Sequence, residues 1–105
     1  MTKHVFPLSK EELEKTVHER AFDSSNIDWK VHCLQRLEER DVTTQEALRC
    51  LRRGLVVSDI EYSEEYGSWK FRLQEPYPND IICLVAAVSV DLASRVVTAI
   101  TVWEV

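Results

Sequence analysis

At Gly54 the apolar residues of this 105-residue chain change their period. Before it they recur three or four residues apart, as Leu13, Val17 and Ala21, then Ile27, Val31, Leu34 and Leu37, then Ala47, Leu48 and Leu51. That is the spacing of helices that bury one stripe. After it they alternate or run together in β-branched stretches separated by turn clusters, the pattern of strands. A single switch from helix to strand confines the chain to an α+β fold, a helical part packed on a sheet.

The chain reads as one domain over residues 1–105: a loose arm over 1–7, a helical part over 8–54 and a β-meander over 55–105. Ser9 and Glu12 form a capping box that opens the first helix, with Leu8 and Leu13 placed as a hydrophobic staple. Glu14, His18 and Arg20 fall outside its apolar stripe, and His18 reads as a solvated residue. After the turn-forming run 23–26 a second helix carries Ile27, Val31, Leu34 and Leu37 on one side, with Trp29, His32, Arg36 and Arg40 on the neighbouring flank. Glu38 falls inside the apolar sector. Thr43 and Glu46 make a second capping box for a helix over 44–53, whose last turn holds Arg49, Arg52 and Arg53 near the negative dipole end. Gly54 is then expected at C′, in the left-handed conformation that stops a helix.

Four strands follow, over 55–62, 68–73, 81–91 and 96–103. In the second, Trp69, Phe71 and Leu73 share one face while Lys70 and Arg72 share the other. The third and fourth are apolar on both faces, so the N-terminal helix, a second subunit or a partner protein is expected over the second face. The expected architecture is two to three N-terminal helices on a four-stranded antiparallel sheet.

Several chemistries are disfavoured. No apolar run reaches the roughly 20 residues that span a bilayer, and the N-terminal stretch lacks a signal peptide's apolar segment, so a cytoplasmic protein with no membrane partner is expected. Cys33, Cys50 and Cys83 match no zinc or redox spacing and read as buried thiols. His4, His18 and His32 are too dispersed for a metal site, and two glycines cannot build a phosphate loop, so neither metal nor cofactor is expected. The net charge of −5 argues against wholesale capture of nucleic acid, with eight acids against three bases in 55–105. Residues 31–54 alone are locally basic, with five bases and four acids.

Within that basic stretch, His32, Arg36 and Arg40 follow one another at helical spacing of four. Cutting RNA without a metal requires a base for the 2′-hydroxyl and cations for the phosphorane. A histidine side chain suits the first task and arginines suit the second. Lys70 and Arg72 are candidate contacts to the substrate backbone, and Trp103 is a candidate stacking platform. The same residues also have a purely structural reading, with the arginines paired to Glu39, Glu61 or Glu65.

His32, Cys33, Arg36, Leu37, Arg40, Asp41 and Val42, then a capped helix closed by Gly54 and a last strand ending Thr101-Val102-Trp103, resemble a bacterial family of unknown function grouped with the RelE/ParE toxin superfamily. The resemblance covers roughly residues 29–104. It implies a small-toxin fold, action on RNA or the ribosome as a metal-independent endoribonuclease, an antitoxin partner, and Thr101 and Trp103 beside the substrate. Trp103 stands where the family has a tyrosine, removing a phenolic hydroxyl, and Asp41 stands where it has a glycine. Two function classes follow: a toxin-like ribonuclease centred on His32, Arg36 and Arg40, or a non-catalytic interaction module or homodimer using the apolar sheet face.

Overall fold

The computed structural model describes residues 6–65, 67–80, 82–89, 91 and 93–104. Outside them lie most of the expected arm with His4, Tyr66 in the expected turn, Ile81 and Val90 of the third expected strand, and Leu92.

Helix α1 (Lys10–Ala21) starts on the expected capping box, Ser9 Oγ accepting from Glu12 N at 3.1 Å and Glu12 Oε1 accepting from Ser9 N at 3.3 Å. Leu13, Val17 and Ala21 are fully buried. The polar flank is not solvated as expected. Glu14 Oε1 accepts from Val56 N at 2.7 Å, and His18 Nε2 donates to the Gly54 carbonyl at 2.7 Å, so the proton must sit on Nε2. Arg20 is buried as well, and that burial, with Arg95 nearby, lowers its pKa.

The second expected helix is two elements. Ile27–Trp29 is a short strand, β1, and helix α2 spans Val31–Glu39. An Ile27–Val31 spacing of four suits a helix, but β1 instead satisfies its backbone along a distant strand. The shorter helix turns a different face inward: Cys33 and Leu37 are buried while Val31 and Leu34 are exposed. Glu38 is exposed too, which removes its conflict with an apolar sector.

Helix α3 (Thr44–Arg53) forms its expected capping box between Thr43 and Glu46 and buries Ala47, Leu48, Cys50 and Leu51. Its arginines do more than face their own dipole. Arg52 donates to the carbonyls of Ala21 and Phe22 at 2.8 and 3.1 Å, capping α1, and Arg49 pairs with the buried carboxylate of Glu75 at 2.9 Å. Gly54 is extended, φ −68°, rather than left-handed. Space explains the glycine: an added Cβ would lie 2.5 Å from the Cys50 carbonyl oxygen and 3.1 Å from Leu73 Cβ.

The sheet has six strands among the described residues rather than four, and it is mixed rather than antiparallel. The first expected strand is split into β2 (Leu55–Val56) and β3 (Glu61–Ser63), both antiparallel to β4 (Ser68–Gln74). Between them Val57 N donates to the Arg72 carbonyl at 3.0 Å and Ser58 Oγ accepts from Arg72 N at 2.9 Å, so residues 57–60 leave the ladder and still hold its edge. β5 (Ile82–Ser89) and β6 (Val97–Glu104) continue the antiparallel meander, and β1 adds to β6 in parallel, giving the order β1-β6-β5-β4-β2.

The helices and one sheet face enclose the core, in which Phe71, Leu13, Leu51, Leu73 and Leu84 are the largest fully buried side chains. Trp69 belongs to it, edge-on to Phe6 at 5.3 Å and tilted against Tyr62 at 5.1 Å, so the arm's end packs down. The three cysteines are free and buried. Burial pushes the Cys33 thiol up to about 11 and the Cys50 thiol up to about 12. Because these thiols hold their protons more tightly folded than unfolded, their contribution is complete below the ordinary thiol pKa of 9.0 and is lost as pH rises through about 11 to 12. Urea unfolding should therefore show stability declining above pH 9.0, with a shallower decline in Cys50→Ala.

Helix α2 ends in a Schellman motif, Val42 N donating to the Leu37 carbonyl at 2.9 Å and Asp41 N to the Glu38 carbonyl at 3.2 Å. Asp41, at φ 54°, occupies the left-handed position that glycine adopts without steric cost. Asp41→Gly should raise stability by about 1 kcal/mol in denaturant unfolding, and an unchanged or lowered midpoint would contradict that account.

Candidate functional site

The described helices all lie against the core face of the sheet. On the opposite face, the strand register sets Lys70 and Arg72 of β4 beside Val85 and Ala87 of β5, and these beside Thr98 and Thr101 of β6. The ladder between β5 and β6 is irregular at Val85/Ala86, whose partners are Thr101 and Ala99, so Ile100 is the extra residue of a β-bulge. The bulge reverses the alternation of β6. Val97, Ala99 and Val102 point into the core, while Thr98, Thr101 and Trp103 share the open face. An unbroken strand would have put Trp103 inside.

Two adjoining hollows result. One, of about 330 Å³, has Val85 among its floor residues; Lys70, Arg72, Thr101 and Trp103 line it, and Asp59 and Glu61 rim it from the β2–β3 side. The Arg72 guanidinium lies over the Trp103 indole at 4.3 Å from its centroid, a cation–π contact that reaches across β5. Thr101 buries a hydroxyl that finds no hydrogen-bond partner among the described residues. The second hollow, of about 410 Å³, is lined by Lys30 and His32 and by Ala87, Ser89 and Thr98 of the sheet, and Ile100 is common to both.

The four expected substrate-contact residues, Lys70, Arg72, Thr101 and Trp103, therefore meet in one hollow, and His32 stands at the neighbouring one. The expected stripe of His32, Arg36 and Arg40 does not act as one surface. His32 is exposed on the first turn of α2, where the pairing of β1 with β6 and the Lys30 N bond to the Ala99 carbonyl at 3.1 Å bring it to the edge of the open face. Arg36 is half-buried and pairs with Glu39 at 3.5 Å, within its own helix. Arg40 caps α2 on the side of Cys33 and Leu37, with its Nε buried. Neither arginine lines either hollow.

Lys30, Asp59 and Glu61 are residues of this face that the spacing argument passed over. Lys30 is held by Asp28 at 3.1 Å. The alternation of strands offered a signal for Glu61, which shares a face with Lys70 across the β3–β4 ladder, but nothing in the sequence announces that 57–60 folds back along Arg72.

The sequence model of a family described as a domain of unknown function, DUF4258, matches residues 29–101, more than half of the chain. The chain belongs to this family. The matched segment runs from the end of β1 into β6 and so contains every residue lining the two hollows except Trp103 of the smaller one. Neither the curated proteins nor the solved structures contain a match. No described helix is long and apolar enough to cross a membrane.

Arg72 and Trp103 define the open hollow and support little else. Arg72→Ala should shift the Trp103 indole N–H resonance in NMR spectra while changing stability by no more than about 1 kcal/mol, the scale of an exposed cation–π pair.

Proposed function

We propose that this chain is a RelE/ParE-toxin-like protein that acts on RNA through the open face of its sheet, as a metal-independent endoribonuclease. The observation that carries the reading is the convergence of Lys70, Arg72, Thr101 and Trp103 in one hollow with His32 at the adjoining one.

In this reading the roles are redistributed. A single-stranded segment lies along the two hollows, with a base against Trp103 and its phosphate over Lys70 and Arg72, whose charges stabilise the phosphorane. His32 takes the proton of the ribose 2′-hydroxyl. The 2′-oxygen then attacks the neighbouring phosphorus, the bond from phosphorus to the 5′-oxygen breaks, and water at the open face protonates the leaving oxygen. Arg36 and Arg40 hold α2 rather than substrate. The net negative charge of the chain makes broad electrostatic capture weak, so recognition depends on this local pair of cations. An antitoxin or the ribosome remains the partner that the toxin kinship implies.

The alternative of a homodimer or interaction module rests on the apolar floor, Val85, Ala87 and Ile100. That floor is narrow and rimmed by charged side chains, which suits a nucleotide better than a second sheet.

Purified protein incubated with total RNA and with translating ribosomes should produce discrete cleavage, reduced at least 100-fold (about 2.7 kcal/mol) in folded His32→Ala and in Arg72→Ala and by less than about threefold in Arg36→Ala. Equal loss in Arg36→Ala would return the site to the helix stripe. Absence of cleavage by the wild type in both substrates would remove the enzymatic reading, and sedimentation of wild type against Trp103→Ala would then test the interface.

A further inference from the structure

The sheet closes one of its edges and leaves another open. At β2, Val57 N donates to the Arg72 carbonyl, so by alternation the Gly54 carbonyl and Val56 N–H point away from β4. Those are the groups that a further strand would take, and α1 takes both. His18 Nε2 donates to the Gly54 carbonyl and Glu14 Oε1 accepts from Val56 N, each at 2.7 Å. Two side chains one helical turn apart thus stand in for one residue of a neighbouring strand and blunt this edge.

The β1 edge has no such cover. β1 pairs with β6 alone, and Lys30 N donates to the Ala99 carbonyl. Asp28 and Lys30 therefore turn their backbone groups to β6, while Trp29 turns its N–H and carbonyl outward with the Ile27 carbonyl beside them. Among the described residues none of these outward groups has a hydrogen-bond partner. The adjoining helix start is open as well: α2 has no side-chain cap at Lys30, which leaves the Val31 N–H without an acceptor in its own helix. Val31 is 70% exposed, and Leu34, on the same helix face, is 41% exposed.

This edge is complementary to itself. A two-fold axis beside Trp29 sets a second copy antiparallel, with each Trp29 donating its N–H to the carbonyl of the other. In that register Asp28 lies opposite the partner's Lys30 and Lys30 opposite the partner's Asp28, in the closely spaced kind of cross-strand pair. The Ile27 carbonyl then faces the partner's Val31 N–H. Within one copy Asp28 and Lys30 already meet at 3.1 Å with both side chains about half exposed, so the pairing joins two such bridges into one ring of alternating charge. A parallel copy would set like charges side by side instead.

We infer that β1 is a pairing edge for a second copy of this chain, joining two sheets across a two-fold axis, with Asp28 and Lys30 fixing the register. The pairing does not depend on the RNA reading. It brings the partner's Asp28 and Lys30 to the border of the hollow that Lys30 and His32 line.

The test uses the whole chain without RNA. Sedimentation equilibrium of the wild type should show a reversible monomer–dimer equilibrium, and the Trp29 amide should exchange with solvent more slowly as concentration rises. Asp28→Lys and Lys30→Asp, both at exposed side chains, each set like charges opposite one another and should weaken self-association at least roughly 10-fold. Mixed in equal amounts, the two variants regain both ion pairs and should associate within about threefold of the wild type. A bridge that served only its own copy would give no rescue on mixing. A wild type that stays monomeric at millimolar concentration, with Trp29 exchange independent of concentration, would overturn the proposal. A dimer that neither charge variant weakens would overturn β1 as its interface, and loss in both variants without rescue on mixing would overturn the antiparallel register.

Discussion

Three residues of parallel pairing hold the open face together. Ile27, Asp28 and Trp29 lie beside Val97, Thr98 and Ala99, and Lys30 N continues the ladder to the Ala99 carbonyl. That contact joins segments about seventy residues apart in sequence, and it positions the hollow that Lys30 and His32 line. It ends the second helix's apolar run at a strand, starts α2 at Val31, and brings the first turn of α2, with His32, to the edge of the sheet, while Arg36 and Arg40 follow one and two turns further along, away from the hollows.

The same strand, β6, supplies the second constraint. A bulge of one residue at Ile100 lets Val97, Ala99 and Val102 all enter the core although their spacing is odd, and it leaves Thr101 and Trp103 on the open face. Bulges re-aim side chains at the cost of one ladder position. Here the gain is a tryptophan within reach of Arg72. The core is closed on the other side by contacts that are polar and specific: His18 to the Gly54 carbonyl, Glu14 to Val56 N, Arg52 to the end of α1, Arg49 to Glu75. These bonds satisfy helix ends and loop groups that would otherwise be buried without partners. They also give Arg49 and Arg52 of α3 structural partners.

Family membership gives this arrangement a frame but no chemistry, since the family itself is of unknown function. The functional reading therefore rests on side chains. An aromatic ring paired with a guanidinium, a lysine, a threonine hydroxyl without a hydrogen-bond partner among the described residues and two carboxylates surround one hollow.

Local signals carried much of the fold. The capping boxes at Ser9 and Thr43, the bounds of α3, the inward set Trp69, Phe71 and Leu73 with Lys70 and Arg72 opposite, and the burial of the three cysteines all follow from spacing, because they depend on side chains a few residues apart. Even Gly54 was recognisable as a required glycine, though close packing against Cys50 and Leu73 requires it and a left-handed turn does not. What spacing could not supply was every feature made by partners remote in sequence: β1, which is too short to announce itself, the split of β2 from β3, the bulge at Ile100, and the burial of His18, Glu14 and Arg20. The sequence by itself determined which residues alternate and which helices begin where. Only the tertiary structure decided which face those residues share, because a backbone hydrogen bond between distant strands sets register, and register sets the side on which each side chain emerges.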